Sequence, residues 1–291
     1  MATTPLVFVL GTGRCGTHTT WKIFESLPRT LSLHEGTGVV RQGPPETVGR
    51  KIVLGCMPEV NAYLYHAGNE GVFHRTFDPD PEMMGMLGRS FGERRKLVEW
   101  CEKHGVALCL SNPFAYNLAT YLHRTYPHAK FIHLVRDGYA CVRSWSRRQS
   151  TYPDRLPDLD AVGWILAKPV PFASDPFHAV WANFTRVERI SWFWAHVNAN
   201  ILDRFATIPE ESRRVVRIED LNAATLPDLL AFCGLPAAFA ADALRAHDPS
   251  AGPAIEWTDE NVARFNAIAG PMMERLGYPV RRAPQSGAWA A

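Results

Sequence analysis

The sequence predicts an α/β fold, with a central parallel β-sheet flanked by helices on both faces. Three observations predict it. Short apolar runs rich in Val, Ile and Leu alternate with helix-length amphipathic stretches. The first such run, Leu6–Leu10, leads through a glycine-rich turn straight into a helix, as the opening of a strand–loop–helix unit does. The longest apolar runs are strand-length and too short to span a bilayer, so the apolar residues belong to a core.

The elements follow in order. Leu6–Leu10 reads as a buried strand and Thr17–Leu27 as the helix after it. A second short strand at roughly Thr30–Leu33 returns to the same edge of the sheet, and Lys51–Cys56 reads as a further strand. Glu93–His104 reads as a helix, because Leu97, Val98 and Cys101 recur at helical spacing. Val106–Leu110 is a strand, and Ala115–Tyr126 is a helix stopped by Pro127. Phe131–Val135 is a strand, followed by a helix over Gly138–Arg148. Ala179–Phe205 reads as one long helix rich in Trp and Phe, with Trp192 and Trp194 in the core. Arg214–Ile218 is the next strand, and Glu219-Asp220 cap a helix over Leu221–Phe232. A last helix ends near Glu260–Leu276.

Three stretches interrupt this rhythm. Glu35–Arg50 and Asn69–Gly92 are rich in Gly and Pro, and Ser150–Phe177 carries five prolines. They are read as lids, because Trp164, Phe172 and Phe177 are too apolar for free linkers. The organisation expected is one domain over residues 1–280, with lid-like insertions near 36–92 and 149–178 and a loosely ordered tail over 281–291.

The chain has 291 residues, 46% hydrophobic and 21% charged, as a globular protein does. A net charge of +2 is too small for a general nucleic-acid binder, so no nucleic-acid partner is expected. None of the six cysteines forms a CxxC pair, and no Cys/His cluster has zinc spacing, so no metal site is expected. Several cysteines lie in apolar stretches, which suits a reducing compartment. With no signal peptide or transmembrane run visible, the expected location is the cytoplasm.

The turn Gly11-Thr12-Gly13-Arg14-Cys15-Gly16-Thr17 gathers backbone N–H groups and a helix N-terminus around one point, which favours a bound phosphate or sulfate. Arg14 adds a fixed cation with several donors. Gly11 and Gly16 have Walker A spacing, but Thr17 stands where that loop needs Lys, which argues against an ATPase or GTPase. Cys15 has two readings, an activated thiol at a helix start or a small residue filling a serine slot. His18 either touches substrate or is an exposed helix residue, and Trp21 is read as core.

A second anion site is expected after the strand Phe131–Val135. That strand delivers Arg136 to the sheet edge, and Ser144 lies about two helical turns further on. Arg with a hydroxyl is phosphate-binding chemistry.

These two motifs together resemble the sulfotransferase family that uses 3′-phosphoadenosine 5′-phosphosulfate (PAPS). Leu118–Arg136, Val215–Leu221 and the closing Ala269–Tyr278 resemble it as well. The resemblance implies a P-loop-containing nucleotide-hydrolase-like sulfotransferase fold, nearer to the bacterial, protein-tyrosine and carbohydrate types. It implies that Gly11, Thr12, Gly13, Arg14, Cys15, Gly16, Thr17 and His18 hold the 5′-phosphosulfate, and that Arg136 and Ser144 hold the 3′-phosphate. PAPS is then the co-substrate, with no metal required. The base for the acceptor hydroxyl is assigned to Glu35, with His34 second, and Arg14 is placed on the leaving phosphate. Two residues depart from the pattern. Leu110-Ser111-Asn112-Pro113 lacks the Lys that many relatives carry there, and Gly138 replaces the Pro of an Arg-Asp-Pro turn.

The activity implied is sulfuryl transfer to an acceptor hydroxyl or amine. The aromatic and Met residues of the insertions, among them Tyr63, Phe73, Met83 and Trp164, point to an apolar or aromatic small-molecule acceptor. Two alternatives are a P-loop small-molecule kinase, disfavoured by Thr17, and a non-catalytic nucleotide-binding protein of the same fold, for which the missing Lys is the one hint.

Overall fold

β1 (Leu6–Leu10) is buried along its whole length, as the central strand of a doubly covered parallel sheet must be. A computed structural model of the chain describes residues 4–34, 98–111, 116, 118–147, 171, 175–244 and 253–282. Around β1 stand β2 (Thr30–His34), β3 (Ala107–Ser111), β4 (Lys130–Val135) and β5 (Arg213–Arg217), in the order β2-β3-β1-β4-β5 with every pairing parallel. The helices used below are α1 (Thr17–Glu25), α2 (Ala119–Thr125), α3 (Gly138–Ser146), α4 (Arg186–Phe205), α5 (Leu226–Phe232) and α6 (Asp259–Arg275). The parallel sheet with helices is the expected fold class. The strand expected at Lys51–Cys56 lies outside the described residues, as do residues 93–97 of the helix expected over Glu93–His104, whose described part, 98–104, is helical, and nearly all of the two insertions.

From β1 the chain turns one way to β2 and β3, and later the other way to β4 and β5. That reversal makes the carboxyl ends of β1 and β4 the switch point, where open α/β sheets take their ligands. The Gly11–Thr17 loop leaves β1 at this point.

The chain falls into two compact units that interleave in sequence. One comprises Met1–Val135 and Asn200–Asp248, the other Arg136–Ala199 and Pro249–Ala291. In the first, Ile23, Phe24 and Leu27 pack with Val7, Val9, Cys109, Ile132 and Leu134 of the sheet and with Leu226, Leu229 and Leu230 of α5. Each large apolar side chain so buried stabilises the unit by roughly 1.5–3 kcal/mol. α1 is locked to β2 by a reciprocal pair: Trp21 Nε1 donates to the Ser32 carbonyl at 3.0 Å, and Ser32 Oγ donates to the Trp21 carbonyl at 3.1 Å.

In the second unit, Trp192 and Trp194 are buried as expected. The expected single helix over 179–205 is two elements, a 3₁₀ stretch at His178–Asn183 and α4. The break falls at Phe184-Thr185, because Thr185 and Glu188 form a capping box. The Thr185 N–H and Oγ both donate to Glu188 Oε2, at 2.7 and 2.6 Å, and the Glu188 N–H lies 3.4 Å from Thr185 Oγ.

Arg281 is tied to other residues of the second unit. Its N–H donates to Tyr139 Oη at 2.9 Å, its carbonyl accepts from Asn266 Nδ2 at 2.8 Å, and its guanidinium lies 4.3 Å from the Tyr139 ring centre. Residues 283–291 lie outside the described set.

Candidate active site

The turn after β1 takes a backbone path that few L-residues adopt. Gly13, Arg14 and Gly16 all have positive φ, at 70°, 56° and 100°. Two are glycines, for which this region is free of penalty. Arg14 is not, and a non-glycine residue there is strained by about 1–2 kcal/mol. Strain concentrated at a charged residue in a binding loop is the pattern expected where function sets the geometry.

The glycines are also required by space. A Cβ on Gly11 would lie 2.6 Å from Cys15 Sγ and 2.7 Å from the Leu134 carbonyl oxygen. The loop is thus packed against β4 with no room for a side chain at its first position. Cys15 fills the interior of the loop. It is fully buried, and burial pushes its thiol pKa up, with hydrogen bonds from Thr12 and the loop backbone opposing. Of its two sequence readings, the small neutral residue fits and the activated thiolate does not.

Gly16 is the N-cap of α1 and offers no side chain to the first turn, and no acidic residue stands in that turn. The partial positive charge of the helix start therefore meets no side-chain cap at Gly16 and no carboxylate in that turn. Positive-φ glycines, an uncapped helix and a cation together form a cradle that fits an anionic phosphate or sulfate.

Two further side chains reach this helix start from neighbouring strands. His34 Nε2 lies 3.3 Å from Thr17 Oγ1, and Ser111 Oγ donates to the Thr17 carbonyl at 3.0 Å. The His34 ring stands edge-on to His18 at 5.5 Å and 6.1 Å from Trp21. Burial lowers the His34 pKa from 6.5 to about 4, so its imidazole is neutral at pH 7.

The predicted residues Gly11 to His18 and His34 thus come together in the first unit. Glu35 follows His34 in the chain and lies outside the described residues, as do Asn112 and Pro113. Ser111 was missed as a site residue. Its signal was its place at the carboxyl end of a strand, in the stretch where many relatives carry a Lys that this chain lacks.

Arg136 and Ser144 belong to the second unit. Arg136 is half-buried at the turn before α3, and Ser144 is buried within that helix. The first turn of α3 is already capped, because Asp137 Oδ1 accepts from the Ala140 N–H at 2.8 Å. An anion here would therefore rely on the Arg136 and Ser144 side chains, not on the helix amides. Gly138, in the place of the expected Pro, has a packing cause. A Cβ there would lie 2.6 Å from Phe265 Cζ and 2.8 Å from Met273 Sδ, both on α6.

Among the described residues, no group of three or more His, Cys, Asp or Glu side chains could hold a metal ion. Among the same residues, no helix is long and apolar enough to cross a membrane.

A parallel sheet with a glycine-built loop at its switch point defines an α/β protein whose loop fits a phosphate- or sulfate-bearing ligand. Residues 5–162 match the family model described as "Sulfotransferase family", and the chain belongs to that family. Over 58 residues it is 48% identical to protein-tyrosine sulfotransferase 1 of Danio rerio and 47% identical to that of Homo sapiens. Each match spans 19% of this chain and 16% of the relative, so the chain covers about a sixth of the length of these relatives. Among solved structures it is similar to the sulfotransferase from Alicyclobacillus acidocaldarius, with TM-score 0.49 and 14% identity over 94% of this chain and 95% of that one. It is also similar to the sulfotransferase domain from the curacin biosynthetic pathway, with TM-score 0.49 and 13% identity over 97% and 100% of the two chains. The family generally uses PAPS.

Proposed function

We propose that this chain transfers a sulfuryl group from PAPS to the hydroxyl, or less readily the amine, of an apolar or aromatic small acceptor, with residues 1–280 acting as one domain. The observation that carries this reading is the positive-φ loop at Gly13–Gly16, uncapped at α1 and bearing Arg14. When bound, the co-substrate supplies a sulfuryl group on a phosphate leaving group. The relatives matched over 58 residues are named for protein tyrosine, which carries an aromatic hydroxyl, and this supports a phenolic hydroxyl as the acceptor group.

The roles follow from charge and position. The amides of Gly13–Thr17 and the Thr17 hydroxyl bind the 5′-phosphate. Arg14 neutralises the charge that grows on the leaving oxygen. Arg136 and Ser144 hold the 3′-phosphate as a charged and a neutral donor. Glu35 accepts the proton of the attacking hydroxyl, and binding aligns that oxygen for in-line attack at sulfur. A cytoplasmic, reducing location fits the buried thiols of Cys15, Cys101, Cys109, Cys141 and Cys233, none of which is in a disulfide.

The test is transfer of labelled sulfate from PAPS to phenolic acceptors by wild type and Glu35→Gln. Loss of the base should cost about 100-fold or more in turnover. Affinity for 3′-phosphoadenosine 5′-phosphate should stay within about threefold, since only the base is changed. Undiminished turnover in Glu35→Gln would show that another group takes the proton.

A further inference from the structure

His34 and Ser111 stand opposite each other in the β2–β3 ladder, and Ser111 is also level with Val9 in the β1–β3 ladder. This row ends beneath the first turn of α1, and two of its side chains converge on one residue. Ser111 Oγ holds the Thr17 carbonyl at 3.0 Å, and His34 Nε2 meets the Thr17 hydroxyl at 3.3 Å. Thr17 is buried. Its hydroxyl has one proton to give and can also accept.

The direction of the His34–Thr17 hydrogen bond decides what that hydroxyl offers the loop. If Nε2 accepts, the Thr17 proton is spent on the imidazole, and only oxygen lone pairs face an incoming anion. If Nε2–H donates, the Thr17 proton is released toward the anion. An anion in the cradle interacts well only with the second arrangement, so its binding selects the Nε2–H tautomer.

We propose that His34 is a positioning residue for the anion site: its Nε2–H, given to Thr17 Oγ1, turns the Thr17 hydroxyl proton toward the bound phosphate, while Ser111 fixes the backbone of the same residue. This rests on the reading of the Gly11–Thr17 loop as the 5′-phosphate site. Burial keeps the imidazole neutral at pH 7, so one ring nitrogen carries a proton and the other accepts. Ser111 stands in the stretch where the resemblance would put a Lys. Here that stretch supplies a hydroxyl that orders the loop from beneath.

The test is calorimetric titration of 3′-phosphoadenosine 5′-phosphate into wild type, His34→Ala, His34→Gln, Thr17→Val and the double variant His34→Ala/Thr17→Val. His34→Ala and Thr17→Val should each weaken binding about tenfold, the scale of one lost hydrogen bond to a charged group. The double variant should bind no worse than either single one, because both changes remove the same donor. His34→Gln keeps an N–H donor and should stay within about threefold of wild type, and it remains informative if the Ala or Val variants fail to fold. Nitrogen NMR of wild type should show the His34 Nε2–H tautomer with the bisphosphate bound. Multiplying losses in the double variant, or unchanged affinity in His34→Ala with turnover down 100-fold, would overturn the inference and make His34 a base. If wild type does not bind the bisphosphate at all, the phosphate-site reading fails first and this inference with it.

Discussion

Gly16 lies directly beneath Ile218, and a Cβ on Gly16 would come 2.5 Å from Ile218 Cδ1 and 2.6 Å from its Cγ1. The residue that starts α1 is thereby packed against the turn that follows β5. Its φ of 100° independently disfavours any side chain.

Gly16→Ala should therefore destabilise the protein by about 3 kcal/mol, from positive-φ strain and overpacking together. Truncating the neighbour in Gly16→Ala/Ile218→Ala should recover the steric part and leave the conformational part. Denaturant unfolding checks this. A double variant no more stable than Gly16→Ala would mean that the Ile218 contact is not the cause.

Arg14 separates stability from binding. Its φ of 56° is costly for Arg and free for Gly. Arg14→Gly relieves the strain but gains unfolded-state entropy, so stability should stay within about 1 kcal/mol of wild type. Affinity for the bisphosphate should fall about tenfold or more, since the charged donor is gone. Thermal unfolding and calorimetry on the same sample read both. A large loss of stability with unchanged affinity would make Arg14 a structural residue.

The low pKa of His34 sets a pH dependence of stability. Burial lowers it from 6.5 to about 4, so the folded state resists a proton that the unfolded chain accepts. Stability should fall as pH drops from about 6.5, and the whole contribution, about 3 kcal/mol, is lost below pH 4. Wild type should lose stability over this window more steeply than His34→Gln, as denaturant midpoints from pH 7 to pH 4 would show. Parallel curves would mean that His34 is not the group that titrates.

Much of the fold was legible because strands and helices announce themselves by period. The readings Phe131–Val135 and Gly138–Arg148 came within a few residues of β4 and α3. The glycine loop was legible too, because glycines, a cation and a following helix are local signals. What was missed is tertiary. Nothing near Gly138 in sequence says that Phe265 and Met273 leave no room for a Pro, since both are more than 120 residues away. Ser111 looked like a lost Lys until its hydroxyl was seen on Thr17, 94 residues earlier. The long-helix error at 179–205 had a local remedy. Continuous apolar content masked Thr185-Arg186-Val187-Glu188, a capping signature readable from the sequence alone.

The most direct test of sulfuryl-transfer chemistry is a thermal-shift titration with 3′-phosphoadenosine 5′-phosphate beside ATP with Mg²⁺. A ligand that binds only the folded state at 100 times its dissociation constant stabilises it by about 2.7 kcal/mol. The expected result is a clear upward shift with the bisphosphate and none with ATP. A shift with ATP alone would contradict the proposed activity and leave a P-loop kinase as the better reading of the Gly11–Thr17 loop.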